Sequence, residues 1–274
     1  MAVRSAVINV MVGAARKGAR TLIHDFNEVE QLQVSQKGPA DFVSEADRRA
    51  ERTLRRELEK ARPDYGFLLE EGGEVAGRDP LHRWIVDPLD GTTNFLHGIP
   101  HFAISIGLER GGEIVAGVIH DPLRDETFWA ERGAGAFLND RRLRVSARRN
   151  MQEAVFATGI PFGDRPGKPE MLAALQPMMD RTAGVRRFGC ASLDLAYVAA
   201  GRYEGFWEFG LSPWDVAAGI VIVREAGGFV TDLQGRPNAL VAESIVAGNG
   251  QLHDTLRRTL HEAIKPLRRG AASA

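Results

Sequence analysis

The chain has 274 residues, 44% of them hydrophobic and 26% charged, with a formal net charge of −1. That is enough chain for one large domain or two modest ones, and it provides no overall basic field of the kind that draws proteins to nucleic acid. Cys190 is the single cysteine, which excludes an intramolecular disulfide and a cysteine-rich zinc site and suits a reducing, cytoplasmic setting.

Residues 3–34 place Val3, Val7, Val10, Ala14, Leu22 and Phe26 at helical intervals, with Asn9, Arg16, Lys17 and Arg20 on the other face. The spacing predicts a long amphipathic helix, broken near Gly18, rather than a signal peptide. No apolar run approaches the ~20 residues of a membrane span. Residues 36–41 contain Gly38-Pro39 and read as a loop; Lys37 in it is a solvated charge unless an anionic site lies nearby. Ser44 and Asp47 form the start signal of a helix that runs to Ala61 and is ended by Pro63. Asp47 is fully accounted for as a helix-start carboxylate on this pattern alone. Residues 65–69 form a short apolar strand ending in Glu70-Glu71, of which only one can face a given site. Gly72-Gly73 then reads as a turn and a mobile loop reaching Pro80.

Trp84-Ile85-Val86 is a buried strand by its β-branched, apolar run, and Pro88 should end it. Asp87, Asp90 and the Leu89 carbonyl on a tight turn offer oxygen ligands to a hard divalent cation, although Asp-Pro and Asp-Gly are also ordinary turn pairs. Gly91 permits close backbone approach, and Thr92-Thr93 opens a helix whose free amides suit a phosphate. An antiparallel meander follows over residues 103–138, and the helices-then-strands order suits an α+β packing. The basic stretch 141–150 marks a boundary between an N-terminal unit, 1–148, and a C-terminal unit, 149–274.

The second unit reads as strand 154–158, a Pro- and Gly-rich loop, helix 170–180, a small-residue helix 192–201 and strand 203–208. A helix follows with Ser212 as its cap, Pro213 first and Asp215 third. That helix is apolar nearly all round and ends at Gly227-Gly228, so a charge at Asp215 needs a partner. Strands 229–232 and 244–247 and a closing helix 251–263 complete the chain, with a disordered tail from Arg268.

The stretch from Trp84 to Phe95, with Trp214-Asp215-Val216-Ala217-Ala218-Gly219 and Glu225-Ala226-Gly227-Gly228, resembles the inositol monophosphatase family. This family belongs to the lithium-sensitive, magnesium-dependent sugar-phosphatase superfamily that includes fructose-1,6-bisphosphatase. The likeness runs from about Ala14 to Ala263. It implies a layered α-β-α-β sandwich, a homodimer and two to three Mg²⁺ ions per subunit. Glu70 and Asp87, with the Leu89 carbonyl, would hold the first ion. Asp87, Asp90 and Asp215 would hold the second, and a third would lean on Glu70. Asp47 and Thr92 would orient the attacking water, with Lys37 on a loop near the site. Gly91 and Thr92 would offer amides to phosphate, Glu208 and Asp215 would meet the sugar hydroxyls, and Gly189-Cys190-Ala191 would wall the sugar pocket.

Leu69, Gly72 and Cys190 depart from the common family pattern. No Arg-His-Gly or Cys-x5-Arg nucleophile motif is present, which fits direct in-line attack by water. The resemblance implies hydrolysis of myo-inositol monophosphate, with broader sugar phosphatase activity, such as on fructose-1,6-bisphosphate, as the alternative. Some bacterial members also bind RNA polymerase or antitermination machinery; Arg186-Arg187 and the basic residues of 265–269 are the only hints of that here.

Overall fold

A computed structural model describes residues 3–28, 34–38, 41–161 and 166–271. Ser5 caps α1 (Ala6–Asn27), its Oγ accepting from the Ile8 amide at 3.3 Å. The helix does not break at Gly18. That residue sits tightly against α2 and the sheet: a Cβ there would stand 3.1 Å from Leu54 Cδ2 and 3.2 Å from Ile104 Cδ1. Of the expected loop at 36–41, residues 36–38 and 41 lie on two strands paired antiparallel, β1 (Val34–Gly38) and β2 (Asp41–Ser44), and residues 39–40 fall outside the described residues. Such pairing between neighbouring segments is what Gly-Pro content alone does not register. Lys37 thus lies on a strand, and its side chain is outside the described residues. α2 (Glu45–Ala61) begins with the expected Ser44/Asp47 capping box.

β3 (Tyr65–Leu69) is followed by β4 (Gly73–Val75) and β5 (Asp79–Asp90). The expected mobile loop to Pro80 is therefore largely strand: β4 folds back on β3, and β5 already begins at Asp79. Nor does Pro88 end β5. The register against β6 (Ala103–Arg110) shifts between Asp87 and Asp90, so the proline falls in an irregularity where no ladder donor is needed. α3 (Thr92–Leu96) follows, then β7 (Glu113–Asp121), β8 (Glu126–Glu131), β9 (Gly135–Leu138) and β10 (Arg141–Arg142). These strands form an eight-stranded sheet in the order β10-β9-β8-β7-β6-β5-β3-β4, antiparallel except for the β3–β5 pair.

The later elements are β11 (Val155–Thr158), α4 (Lys168–Arg181), β12 (Gly184–Arg186), α5 (Ala191–Ala199), β13 (Gly205–Phe209), α6 (Pro213–Glu225), β14 (Phe229–Thr231), β15 (Ser244–Gly248) and α7 (His253–Ala271). Their sheet runs β12-β11-β13-β15-β14, with β11 parallel to both of its neighbours. α7 continues through Pro266 to Ala271, beyond the helix and into the tail that the sequence pattern assigned to disorder. Its buried stripe of Leu256, Leu260 and Ile264 joins the cluster of α4 and the second sheet. No helix among the described residues is long and apolar enough to cross a membrane.

Alternation along the strands builds the layers. Trp84 and Val86 of β5 face α1 and α2, in one cluster with Ile8, Met11, Leu54 and Leu58. Ile85 faces the other way, into a cluster with Leu195 of α5 and Val221 of α6. The same cluster takes Phe206 and Ala247 from the second sheet, whose opposite face turns Trp207 and Val246 toward α4 and α7. This is the layered sandwich expected, with α5 and α6 between the sheets and α4 and α7 covering the second sheet's outer face. Because α5 and α6 are buried on both sides, α6 reads as apolar nearly all round and α5 as a small-residue helix.

Candidate active site

The backbone brings four helix N-termini and two strand ends together. β3 ends at Leu69, just before Glu70, and the last residues of β5 run from Asp87 to Asp90. α3, α5 and α6 start at Thr92, Ala191 and Pro213, and α2 starts behind Thr92. A cleft of about 380 Å³ opens between them. Glu70, Asp87, Leu89, Asp90, Gly91, Thr92, Gly189, Cys190, Ala191, Glu208 and Asp215 all line it. Residues spread over more than half the chain thus reach one space. Asp47 stands just behind the wall and meets the cleft through Thr92.

The Asp-turn is held in detail. Asp87 is 2% exposed, and its Oδ1 accepts the Leu89 amide at 2.9 Å. Gly91, the cap of α3, has φ +95°, and a Cβ there would lie 3.1 Å from the His101 carbonyl. Any other residue would be both strained and crowded. The Thr92 hydroxyl lies 3.2 Å from Asp47 Oδ1 and 3.0 Å from the Leu89 carbonyl. Asp47 gives its other oxygen, Oδ2, to the Ser44 amide at 2.8 Å. Helix capping and service to the site, alternatives in the sequence, are therefore carried by different oxygens of one carboxylate. Asp215 follows the same plan: it lines the cleft while its Oδ2 accepts the Ser212 amide at 2.7 Å.

Asp90 reaches across the chain to α5. Its Oδ2 accepts the Ser192 amide at 2.6 Å and the Cys190 thiol at 3.1 Å. The small residues at 189–191 thus let α5 present its N-terminus to the Asp-turn. Asn94 and Arg187 are among the lining residues that the sequence alone does not single out as part of the site. Asn94 bonds the carbonyls of His101 at 2.8 Å and Phe188 at 2.7 Å, tying α3 to the Gly189 segment. Arg187 lines the cleft, so half of the basic pair that hinted at a docking surface is spent on the pocket. Its signal was adjacency to Gly189.

The electrostatics follow from crowding acids in a low-dielectric space. Burial pushes the Asp87 carboxyl well above its ordinary 3.8, and Glu70, Asp90 and Asp215 push it further. Asp90 is raised by burial against the opposing pull of its Ser192 and Cys190 donors. Asp47 is raised by burial and partly restored by Ser44. Asp194, one turn into α5, is raised well above normal by burial and by Glu208 and Asp90. Such a cluster carries more negative charge than Arg187 alone can offset, and the groups it offers a cation are all oxygen: four carboxylates and the Leu89 carbonyl. That set fits Mg²⁺ and not a soft metal. Among the described residues no three such side chains are already gathered as a metal cage; Asp87, Asp90 and Asp215 each accept a main-chain amide.

A sequence model of the inositol monophosphatase family matches residues 4–265. An inositol-1-monophosphatase of Rhizobium meliloti is 59% identical over 261 residues, covering 95% of this chain and 98% of its own. A protein of Pseudomonas aeruginosa named Nus factor SuhB is 45% identical, covering 95% and 97%. The crystal structure of the extragenic suppressor protein suhB from Bartonella henselae superposes with a TM-score of 0.91 at 59% identity, over 93% of this chain and 98% of that one. With the family pattern matched almost end to end and the same fold in a close relative, this chain belongs to the inositol monophosphatase family.

Proposed function

We propose that the chain is a Mg²⁺-dependent phosphomonoesterase that hydrolyses myo-inositol monophosphate by direct attack of water. The observation that carries this is the convergence of Glu70, Asp87, Asp90 and Asp215 on one cleft beside the N-termini of α3, α5 and α6. Glu70 and Asp87 with the Leu89 carbonyl would hold one ion, and Asp87, Asp90 and Asp215 a second, so residues 1–148 supply most ligands and 149–274 close the site. Magnesium bound there activates water and stabilises charge on the leaving oxygen.

The protein's own groups do the rest. The Asp47–Thr92 pair holds a hydroxyl at fixed orientation over the Asp-turn, where it accepts from the attacking water and passes its proton toward Asp47. The amides of Gly91 and Thr92, at a helix start, are placed to receive phosphate oxygens. Glu208 and Asp215 accept from sugar hydroxyls, and Arg187 adds a cation to the same wall. The loose transition state puts most of the catalytic demand on positioning and electrostatics. A panel of inositol, fructose and nucleotide phosphate esters, assayed with Mg²⁺, with chelator and with Li⁺, tests the reading. Chelator-resistant turnover, or no preference for inositol monophosphates, defeats it. Cytoplasmic location and a homodimer belong to the same proposal, and sedimentation checks the latter.

A second reading is favoured by relatives named Nus factor SuhB, at 45% and 41% identity: the same protein also binds transcription antitermination machinery. A pull-down with the Asp90→Asn protein separates the two roles, since docking needs no turnover.

A further inference from the structure

α2 carries two buried carboxylates one helical turn apart. Asp47 is 0% exposed and Glu51 is 7%. Asp47 serves the Asp-turn through Thr92. Glu51 holds the segment after β3: its Oε2 accepts the Glu71 amide at 2.8 Å. A Cβ on Gly72 would stand 3.0 Å from Glu51 Oε1, so the small residue at 72 makes room for that carboxylate. The Glu70 amide is itself bonded to the Val86 carbonyl at 3.2 Å. Glu70 is thus fixed by main-chain bonds on both sides, one to β5 and one, at the next residue, to α2.

From this we infer that Glu51 is a positioning residue for magnesium: by holding the 70–72 turn to the helix that also holds the Asp-turn, it sets where Glu70 stands relative to Asp87. The inference rests on reading the cleft as a magnesium site. Its physical basis is reach and burial. A buried carboxylate is stable only when donors meet it, and the Glu71 amide is such a donor. A glutamate spans the gap from helix to turn, whereas an aspartate falls about 1.5 Å short, one methylene. Partners of metal-binding residues that lie one layer out commonly set metal affinity by 10- to 100-fold.

The test compares Glu51→Gln, Glu51→Asp and Glu51→Ala in the full chain. Two quantities are read: Mg²⁺ dissociation constants by calorimetry, and hydrogen exchange at the Glu71 amide in the metal-free protein. Gln keeps an acceptor oxygen at the right length, so it should bind Mg²⁺ within threefold of wild type and keep the amide protected. Asp keeps the charge but not the reach. Like Ala, it should raise the dissociation constant ten- to a hundredfold and speed exchange. Asp binding as tightly as wild type overturns the inference, and so does Gln binding as weakly as Ala, because charge rather than the hydrogen bond would then be what matters. Should Ala fail to fold, the Gln and Asp pair still decides. Should the wild type bind no Mg²⁺, the magnesium reading fails instead, and the exchange rates alone judge whether Glu51 holds the turn.

Discussion

Replacing Asp87 by Asn should make the metal-free protein more stable while removing its activity. Asn Oδ1 can still accept the Leu89 amide, now 2.9 Å from Asp87 Oδ1, so the turn keeps its bond. What disappears is a buried charge pressed by Glu70, Asp90 and Asp215. Removing a buried charge that lacks an opposite partner relieves a desolvation cost of about 1–3 kcal/mol; about 2 kcal/mol corresponds to a rise of about 4 °C in Tm for a chain of this size. The pH dependence has a definite sign. Asp87 binds its proton more tightly folded than unfolded, so its contribution is fully present at low pH and is lost as pH rises above the ordinary carboxylate value toward its raised folded one. The variant's advantage should therefore be near zero at pH 4 and grow toward pH 8. With Mg²⁺ at a hundred times its dissociation constant, wild type gains about 2.7 kcal/mol per ion and overtakes a variant that has lost the ligand shared by both. Calorimetric melts with chelator and with Mg²⁺, at pH 4, 6 and 8, give all the numbers. A metal-free variant less stable than wild type at pH 8, or one that still gains the full Mg²⁺ increment, would refute the reasoning.

Thr92→Val keeps shape but removes the hydroxyl between Asp47 and Leu89. It should lower kcat by roughly 10²- to 10³-fold, in the range of a lost transition-state hydrogen bond, with little change in Mg²⁺ half-saturation; steady-state kinetics at varied Mg²⁺ would show it. Gly91→Ala must adopt φ +95° and crowd the His101 carbonyl, so a loss of about 1–3 kcal/mol in urea unfolding is expected. His101 is buried, its Nε2 has no hydrogen-bond partner, and desolvation lowers its pKa to about 4. It folds neutral, so its stabilising contribution is whole above pH 6.5 and is lost as pH falls toward 4, by about 3 kcal/mol. His101→Phe should flatten that part of the pH profile of the urea midpoint.

Much of this protein is written locally. The Trp84-Ile85-Val86 run, the Ser44/Asp47 and Ser212/Asp215 starts and the Gly227-Gly228 stop are short-range signals, because strand alternation and helix capping depend on neighbours a few residues away. The structure has each where the pattern puts it. Asp87 and Asp90 were likewise visible as a turn with oxygen ligands. What only the tertiary structure decided is which distant groups meet. Nothing near Asp90 announces that it accepts the Ser192 amide 102 residues on. Glu51 on a helix crowded with Glu and Arg looks like any solvated charge until the Glu71 backbone is found against it. Pro88 lies within a strand because β6 shifts register beside it. Such outcomes depend on long-range pairing and on burial, which appear only when separate segments exclude water from the same space.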